Sequence, residues 1–196
     1  MFLEQFKLES NPFAPRQARP RLQSTAGRSA FLKLGRIVDG SLHCLFLSGR
    51  AGVGKSTIVE RYIKEQNGIV VTLISPSIAT ATQFLNKVLR DVGLPTIEAS
   101  ATELRNILEV YLRHQVSKSV RVVLVADPLE RLAEPVLAEL ESLMGLRYKS
   151  RPLMSFVLLA RSQEIAQQLV PATGGTLLAT SSLIGSCGGS VDAVAA

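Results

Sequence analysis

The chain has 196 residues, 46% hydrophobic and 19% charged, with a mean hydropathy of +0.24. A chain of this size buries about 70% of its unfolded surface, so wholesale disorder is excluded and one domain with appendages is expected. Twenty-two Lys and Arg against 16 Asp and Glu give a net charge of +6, which favours polyanionic partners such as nucleic acid, acidic lipid or phosphorylated ligands without choosing among them.

Residues 1–40 form a basic lead-in. Pro12, Pro15 and Pro20 break its front half into an extended strap, and SAFLKLGRIVDG has helical apolar spacing through Phe31, Leu32, Leu34 and Ile37. Arg16, Arg19 and Arg21 carry no interleaved aromatics, so the strap reads as a solvated or nucleotide-flanking segment rather than a dedicated nucleic-acid site.

Residues 41–170 alternate short apolar runs with longer helical periodicities. Strands are expected at Leu42 to Ser48, Ile69 to Ser75, Val120 to Ala126 and Leu153 to Ala160, each nearly continuous in apolar character, as strands buried on both faces must be. Helices fit between them: KSTIVERYIKEQ after the first strand, TATQFLNKVLRDV and ATELRNILEVYLRHQ between the second and third, and EPVLAELESLM before the fourth, with Pro135 placed for a first helical turn. Strands separated by helices predict right-handed crossovers, hence an α/β fold with a parallel sheet and helices on both faces. Residues 171–196 hold a single charge, Asp192, and are dominated by Gly, Ala and Ser. They read as a low-complexity flexible or truncated tail, in which TLLAT is the one candidate for a fifth strand.

Cys44 and Cys187 are too few for a disulfide framework or a closed zinc site. The amino terminus lacks the pattern of a signal peptide, and no run of about 18 apolar residues occurs. A soluble protein of a reducing, cytoplasmic compartment is expected, reaching a membrane only through a partner.

The chemistry lies directly after the first strand. Gly49, Arg50, Ala51, Gly52, Val53, Gly54, Lys55, Ser56 and Thr57 match G-x-x-x-x-G-K-[ST] and open into a helix, the context of a phosphate-binding P-loop. The glycines let backbone N–H groups wrap the phosphates, and the helix sets its positive end behind them. Lys55 is expected at the β- and γ-phosphates, the Ser56 hydroxyl on Mg²⁺, and Thr57 near the α-phosphate. The second element is Val122 to Asp127, an apolar strand ending in an acid, which makes Asp127 the Walker B candidate for the Mg²⁺ shell. The competing reading of Asp127 is a strand-ending residue that caps a turn, since Pro128 follows.

Over about Met1 to Val170 the chain resembles the AAA+ ATPases of the ExeA/GspA-like, secretion-accessory and transposition-helper group, and the related domain ahead of some SPOR-domain cell-division proteins. The residues that carry the resemblance are the opening Phe6-Lys7-Leu8-Glu9-Ser10-Asn11-Pro12-Phe13, the P-loop, and Leu132 to Leu140 after the Walker B strand. The resemblance implies ATP and Mg²⁺ as ligands, a homo-oligomer or protein partner, and a role in assembling envelope secretion or cell-division machinery. Three departures stand out. Pro128 occupies the position where the family places its catalytic acid, leaving Glu130 as the substitute. Ala160-Arg161-Ser162 replaces the polar sensor at the end of the fourth strand, and no carboxy-terminal helical lid follows Gln168. Arg161 reads equally as a phosphate contact or a surface residue. Arg147, Lys149 and Arg151 occupy a place where such ATPases present an arginine finger, with ordinary loop arginines as the alternative. His43 and His114 read as structural histidines. The expectation is an ATPase with Lys55, Asp127 and Glu130 as its catalytic set; the alternatives are a hydrolysis-deficient nucleotide-gated scaffold and a DNA-binding helper.

Overall fold

The computed structural model describes residues 25–66, 69–162 and 178–182. The proline strap, Arg16, Arg19, Arg21, Cys187 and the tail after 182 lie outside the described residues. The chain opens with helix α1 (Thr25–Asp39), then β1 (Cys44–Ser48), α2 (Lys55–Lys64), β2 (Ile69–Ile74), α3 (Ala81–Asp91), α4 (Ala101–Ser117) and β3 (Arg121–Ala126). A 3₁₀ turn at Leu129–Arg131 leads to α5 (Glu134–Met144), the short strands β4 (Arg147–Tyr148) and β5 (Arg151–Pro152), β6 (Ser155–Ala160) and β7 (Leu178–Ser182). No helix among the described residues is long and apolar enough to cross a membrane.

Five strands form one sheet in the order β2-β3-β6-β1-β7, and every pairing in it is parallel. The continuous apolar runs split by alternation. Phe46, Leu124, Phe156 and Leu158 face α3, α4 and α5, whereas Leu45, Leu47, Val123, Val125, Val157 and Leu159 face α1 and α2. Helices therefore cover both faces, as the sequence predicts. A buried leucine here is held by transfer and packing together, so Leu124→Ala would cost about 2–5 kcal/mol. The predicted strands and helices all form, with ends displaced by at most four residues, and Pro135 sits in the first turn of α5.

Local chemistry sets the ends. Ser100 and Glu103 form a reciprocal capping box on α4, and the Ser100 hydroxyl and N–H hold the Glu103 carboxyl below its ordinary range. Thr80 caps α3 by accepting from the Gln83 N–H at 3.2 Å. Fully buried Thr72 on β2 donates to Asp91 at 2.7 Å, which satisfies its hydroxyl inside an apolar strand. Arg105 of α4 and buried Glu139 of α5 form a two-pronged ion pair at 2.7 and 2.5 Å.

Two features depart from the sequence reading. The stretch between α5 and β6 is an antiparallel hairpin, β4–β5, whose turn residues Lys149 and Ser150 both take positive φ. That is a backbone state that side-chain-bearing residues seldom adopt, and no glycine announces it. The fifth sheet strand falls at Leu178–Ser182, two residues beyond the TLLAT start, and pairs with β1, so part of the segment read as a tail belongs to the sheet.

Candidate nucleotide site

The P-loop leaves the carboxy-terminal edge of the sheet. Ser48 ends β1, and the next N–H, of Gly49, donates to the Ala160 carbonyl at the end of β6 at 3.2 Å. Gly52 and Gly54 take φ of 81° and 94°. A Cβ at either would touch no protein atom within 4 Å, so the backbone conformation, not crowding, calls for glycine. Gly54 is also the N-cap of α2, and no side chain caps that helix. The first N–H groups of α2 thus keep their hydrogen-bonding capacity for an anion, with the positive end of the helix behind them and no acid in its first turn.

Lys55 is buried to 8% exposure, and its ammonium donates to the carbonyls of Gly49 at 2.6 Å and Arg50 at 3.0 Å. The lysine is curled back across its own loop. One residue on, the Ser56 hydroxyl donates to the Asp127 carboxylate. Asp127 directly follows β3, where its N–H donates to the Ile74 carbonyl of β2 at 3.3 Å. A hydroxyl and a carboxylate from elements 71 residues apart in sequence are therefore side by side. These are the hard oxygen donors that Mg²⁺ prefers. Together with the uncapped helix end and the glycine-lined wall, the donor set fits a Mg²⁺-bound nucleotide.

These groups line a cavity of about 270 Å³ that includes Gly52, Lys55, Ser56, Thr57, Asp127 and Arg161. Pro128 lies in its wall after a cis peptide. Arg161 is exposed at the rim of the cavity, at the end of β6. Glu130 lies in the 3₁₀ turn and is absent from the lining. Its Oε1 accepts the Arg161 N–H, which ties that turn to the end of β6, and its buried Oε2 has no protein partner.

The other sequence candidates lie elsewhere. His114 is exposed on α4. Arg147, Lys149 and Arg151 belong to the β4–β5 hairpin, which joins the carboxy end of α5 to the amino end of β6 and so lies at the sheet edge opposite the P-loop. The Arg147 guanidinium donates to the Met144 and Leu146 carbonyls at 2.7 and 3.2 Å. The tie between Glu130 and the Arg161 backbone escaped sequence reasoning, since nothing in a surface-type glutamate tells where its carboxylate will turn.

The sheet order, the loop between β1 and α2, and the acid after β3 define a P-loop NTPase core. A family model described as an AAA domain matches residues 39–169, and the chain belongs to that family. No curated protein sequence matches it. Among solved structures it is similar to Cdc6p from Pyrobaculum aerophilum, at 18% identity and TM-score 0.63, covering 87% of this chain and 48% of that one. It is also similar to a Drosophila ORC chain from a DNA-bound structure, at 19% identity and TM-score 0.59, covering 81% of this chain and 40% of that one. A third is the Aeropyrum pernix ORC2 protein in ADPNP and ADP complexes, at 17% identity and TM-score 0.56, covering 89% of this chain and 50% of that one. The chain spans half or less of the length of these structures.

Proposed function

We propose that this chain is an ATP-binding AAA+ module that holds Mg²⁺–ATP between the loop Gly49 to Thr57 and Asp127, and uses nucleotide state to gate the assembly of a partner complex. The observation that carries this reading is the Ser56–Asp127 contact beneath the uncapped amino end of α2. Mg²⁺–ATP, when bound, supplies a γ-phosphorus open to in-line attack by water. The N–H groups of the loop and of α2 cradle the phosphates. Lys55 leaves the Gly49 and Arg50 carbonyls to meet phosphate oxygens and the negative charge that develops there. Ser56 and Asp127 hold the metal.

For turnover, Glu130 takes the part of the acid that Pro128 cannot supply. Its Oε1 is anchored by the Arg161 N–H, and its Oε2 is buried without a protein partner, so it would take a water proton only once the 3₁₀ turn shifts to bring it into the cavity. A homo-oligomer or a protein partner is part of the reading, and by resemblance the partner belongs to envelope secretion or cell-division machinery. A second reading, a DNA-binding helper, draws support from the net charge of +6 and from solved relatives bound to DNA. It predicts DNA affinity that falls steeply with salt, whereas the leading reading predicts little or none.

The deciding experiment measures ATP binding and turnover under saturating Mg²⁺. Wild type is expected to bind and to melt at a higher temperature with ATP. Lys55→Ala should lose about 1.5–3 kcal/mol of binding, roughly 10- to 150-fold in Kd. Glu130→Gln should keep binding and lose turnover about 100-fold or more. Absence of ATP binding by wild type overturns the reading, and binding without turnover replaces it with a nucleotide-gated scaffold.

A further inference from the structure

The other end of the sheet holds a second cavity, of about 280 Å³, that the nucleotide reading does not use. Its walls come from three separate segments: the turn from Gly40 to His43 before β1, the stretch from Val116 to Val122 that joins α4 to β3, and Arg151 to Met154 ahead of β6. Three of its lining side chains are basic, Arg121, Arg151 and His43, and none is acidic. Neither arginine makes a salt bridge among the described residues. The buried Nδ1 of His43 has no hydrogen-bond partner. An unpaired buried ring nitrogen is costly unless something fills the gap.

Two details show a shaped site rather than a chance dent. Gly40 has φ of 80°, and a Cβ there would lie 1.7 Å from Nη2 of Arg121. The bare backbone of glycine leaves room for that guanidinium to lie against the turn, where a Cβ would make it shift. On the hairpin side, Arg147 is anchored by the Met144 and Leu146 carbonyls, so its charge is fixed in place near His43. The remaining walls, including Val116, Val122, Pro152 and Leu153, are apolar. Guanidinium groups together with aliphatic walls suit a ligand with one anionic oxygen cluster and a compact apolar body.

We propose that this cavity binds a small organic anion, its phosphate or carboxylate head held by Arg121 and Arg151 and hydrogen-bonded to His43, and its apolar part against Val116, Val122 and Leu153. The site is separate from the P-loop, which occupies the opposite sheet edge. Arg121 of β3 and Arg147 of the hairpin are the charges that bear on His43, with Arg151 in the same cavity wall and Asp39 of α1 beyond Arg121.

The chain holds two histidines, His43 and His114, and the second is exposed on α4 and does not line the cavity, although Val116 two residues on does. The test follows their ring C–H signals by NMR while the Lys55→Ala chain is titrated with phenylphosphate, inorganic phosphate or phenol. The Lys55→Ala background weakens competition from the P-loop, and the His43 signal reports on its own cavity. The expected result is a saturable shift of the His43 signal with phenylphosphate, a weaker one with inorganic phosphate, none with phenol, and a still His114. Arg151→Gln, at an exposed position, should weaken binding about tenfold. A His43 signal that stays put, shifts of both histidines in parallel, or undiminished binding in Arg151→Gln would each overturn the proposal. A response confined to phenol would reduce the cavity to an apolar one. ATP binding by the wild-type chain is read separately, so failure here leaves the nucleotide reading intact.

Discussion

The two ends of the sheet present hydrogen-bond donors and positive charge by different means. At the carboxy-terminal edge the cationic surface is mostly backbone: the N–H groups of a glycine loop and of the first turn of α2, with a single lysine tethered to loop carbonyls at 2.6 and 3.0 Å. At the amino-terminal edge it is side chain, with two arginines and a histidine converging from three segments. Backbone donors are fixed once the loop folds, so they suit a charge that must be met at the same geometry in every cycle. Arginine forks on flexible stems suit a ligand whose shape is less strictly set.

The comparison turns on one glycine at each end. Gly40 and Gly54 have similar positive φ, 80° and 94°. Either glycine changed to alanine should cost roughly 1–2 kcal/mol of stability from left-handed strain alone, visible as a lower Tm. What each loses beyond that differs. Gly40→Ala also displaces the Arg121 guanidinium and should weaken phenylphosphate binding while ATP binding persists; Gly54→Ala should do the reverse. Equal loss of both ligands in both variants would show that the two ends do not act separately.

A smaller effect comes from pH. Burial, and then the charges of Arg121 and Arg147, push the His43 imidazole below its ordinary 6.5. The unfolded chain therefore takes up that proton before the folded one does. Stability from this group is present above pH 6.5 and is lost as pH falls from 6.5 through the folded pKa. Thermal melts between about pH 5 and 8 should show a shallower acid-side decline for His43→Gln than for wild type. A bound anion should also flatten the decline, by stabilising the protonated ring. The smallest effect is expected at the hairpin surface. Arg113 stands 5.7 Å from the Tyr148 ring and pairs with Glu109 at 2.5 Å, half exposed. Arg113→Ala should shift stability by no more than about 0.5–1 kcal/mol, checked by denaturant midpoint.

How much of this was legible in the sequence follows from the same contrast. The P-loop is contiguous, and its glycines, lysine and hydroxyl are neighbours in the chain before they are neighbours in space. Asp127 was legible because an apolar strand ends on it. Helices on both faces followed from strands with no polar alternation, such as Leu45, Phe46 and Leu47, which divide between the two cores. The far cavity was not legible, because Gly40, Arg121 and Arg151 share no local pattern and meet only through the register of β1, β3 and β6. The β4–β5 hairpin was missed because its turn uses Lys149 and Ser150 where glycine or asparagine would have signalled it. Arg105 and Glu139 lie 34 residues apart with no local pattern joining them, and only the folded chain makes them a pair.

β7 joins the sheet beside β1, the strand that carries the P-loop, with Cys44 through Ser48 matched to Leu178 through Ser182. The Cys44 thiol in that strand is fully buried, and burial pushes its pKa up to about 12, so it resists alkylation while the sheet is whole. A chain cut back to residue 162 would leave β1 as an open edge, with a row of backbone donors and acceptors ready to pair with a second molecule. The protection of the phosphate loop's strand against self-association thus rests on five residues from the far end of the polypeptide.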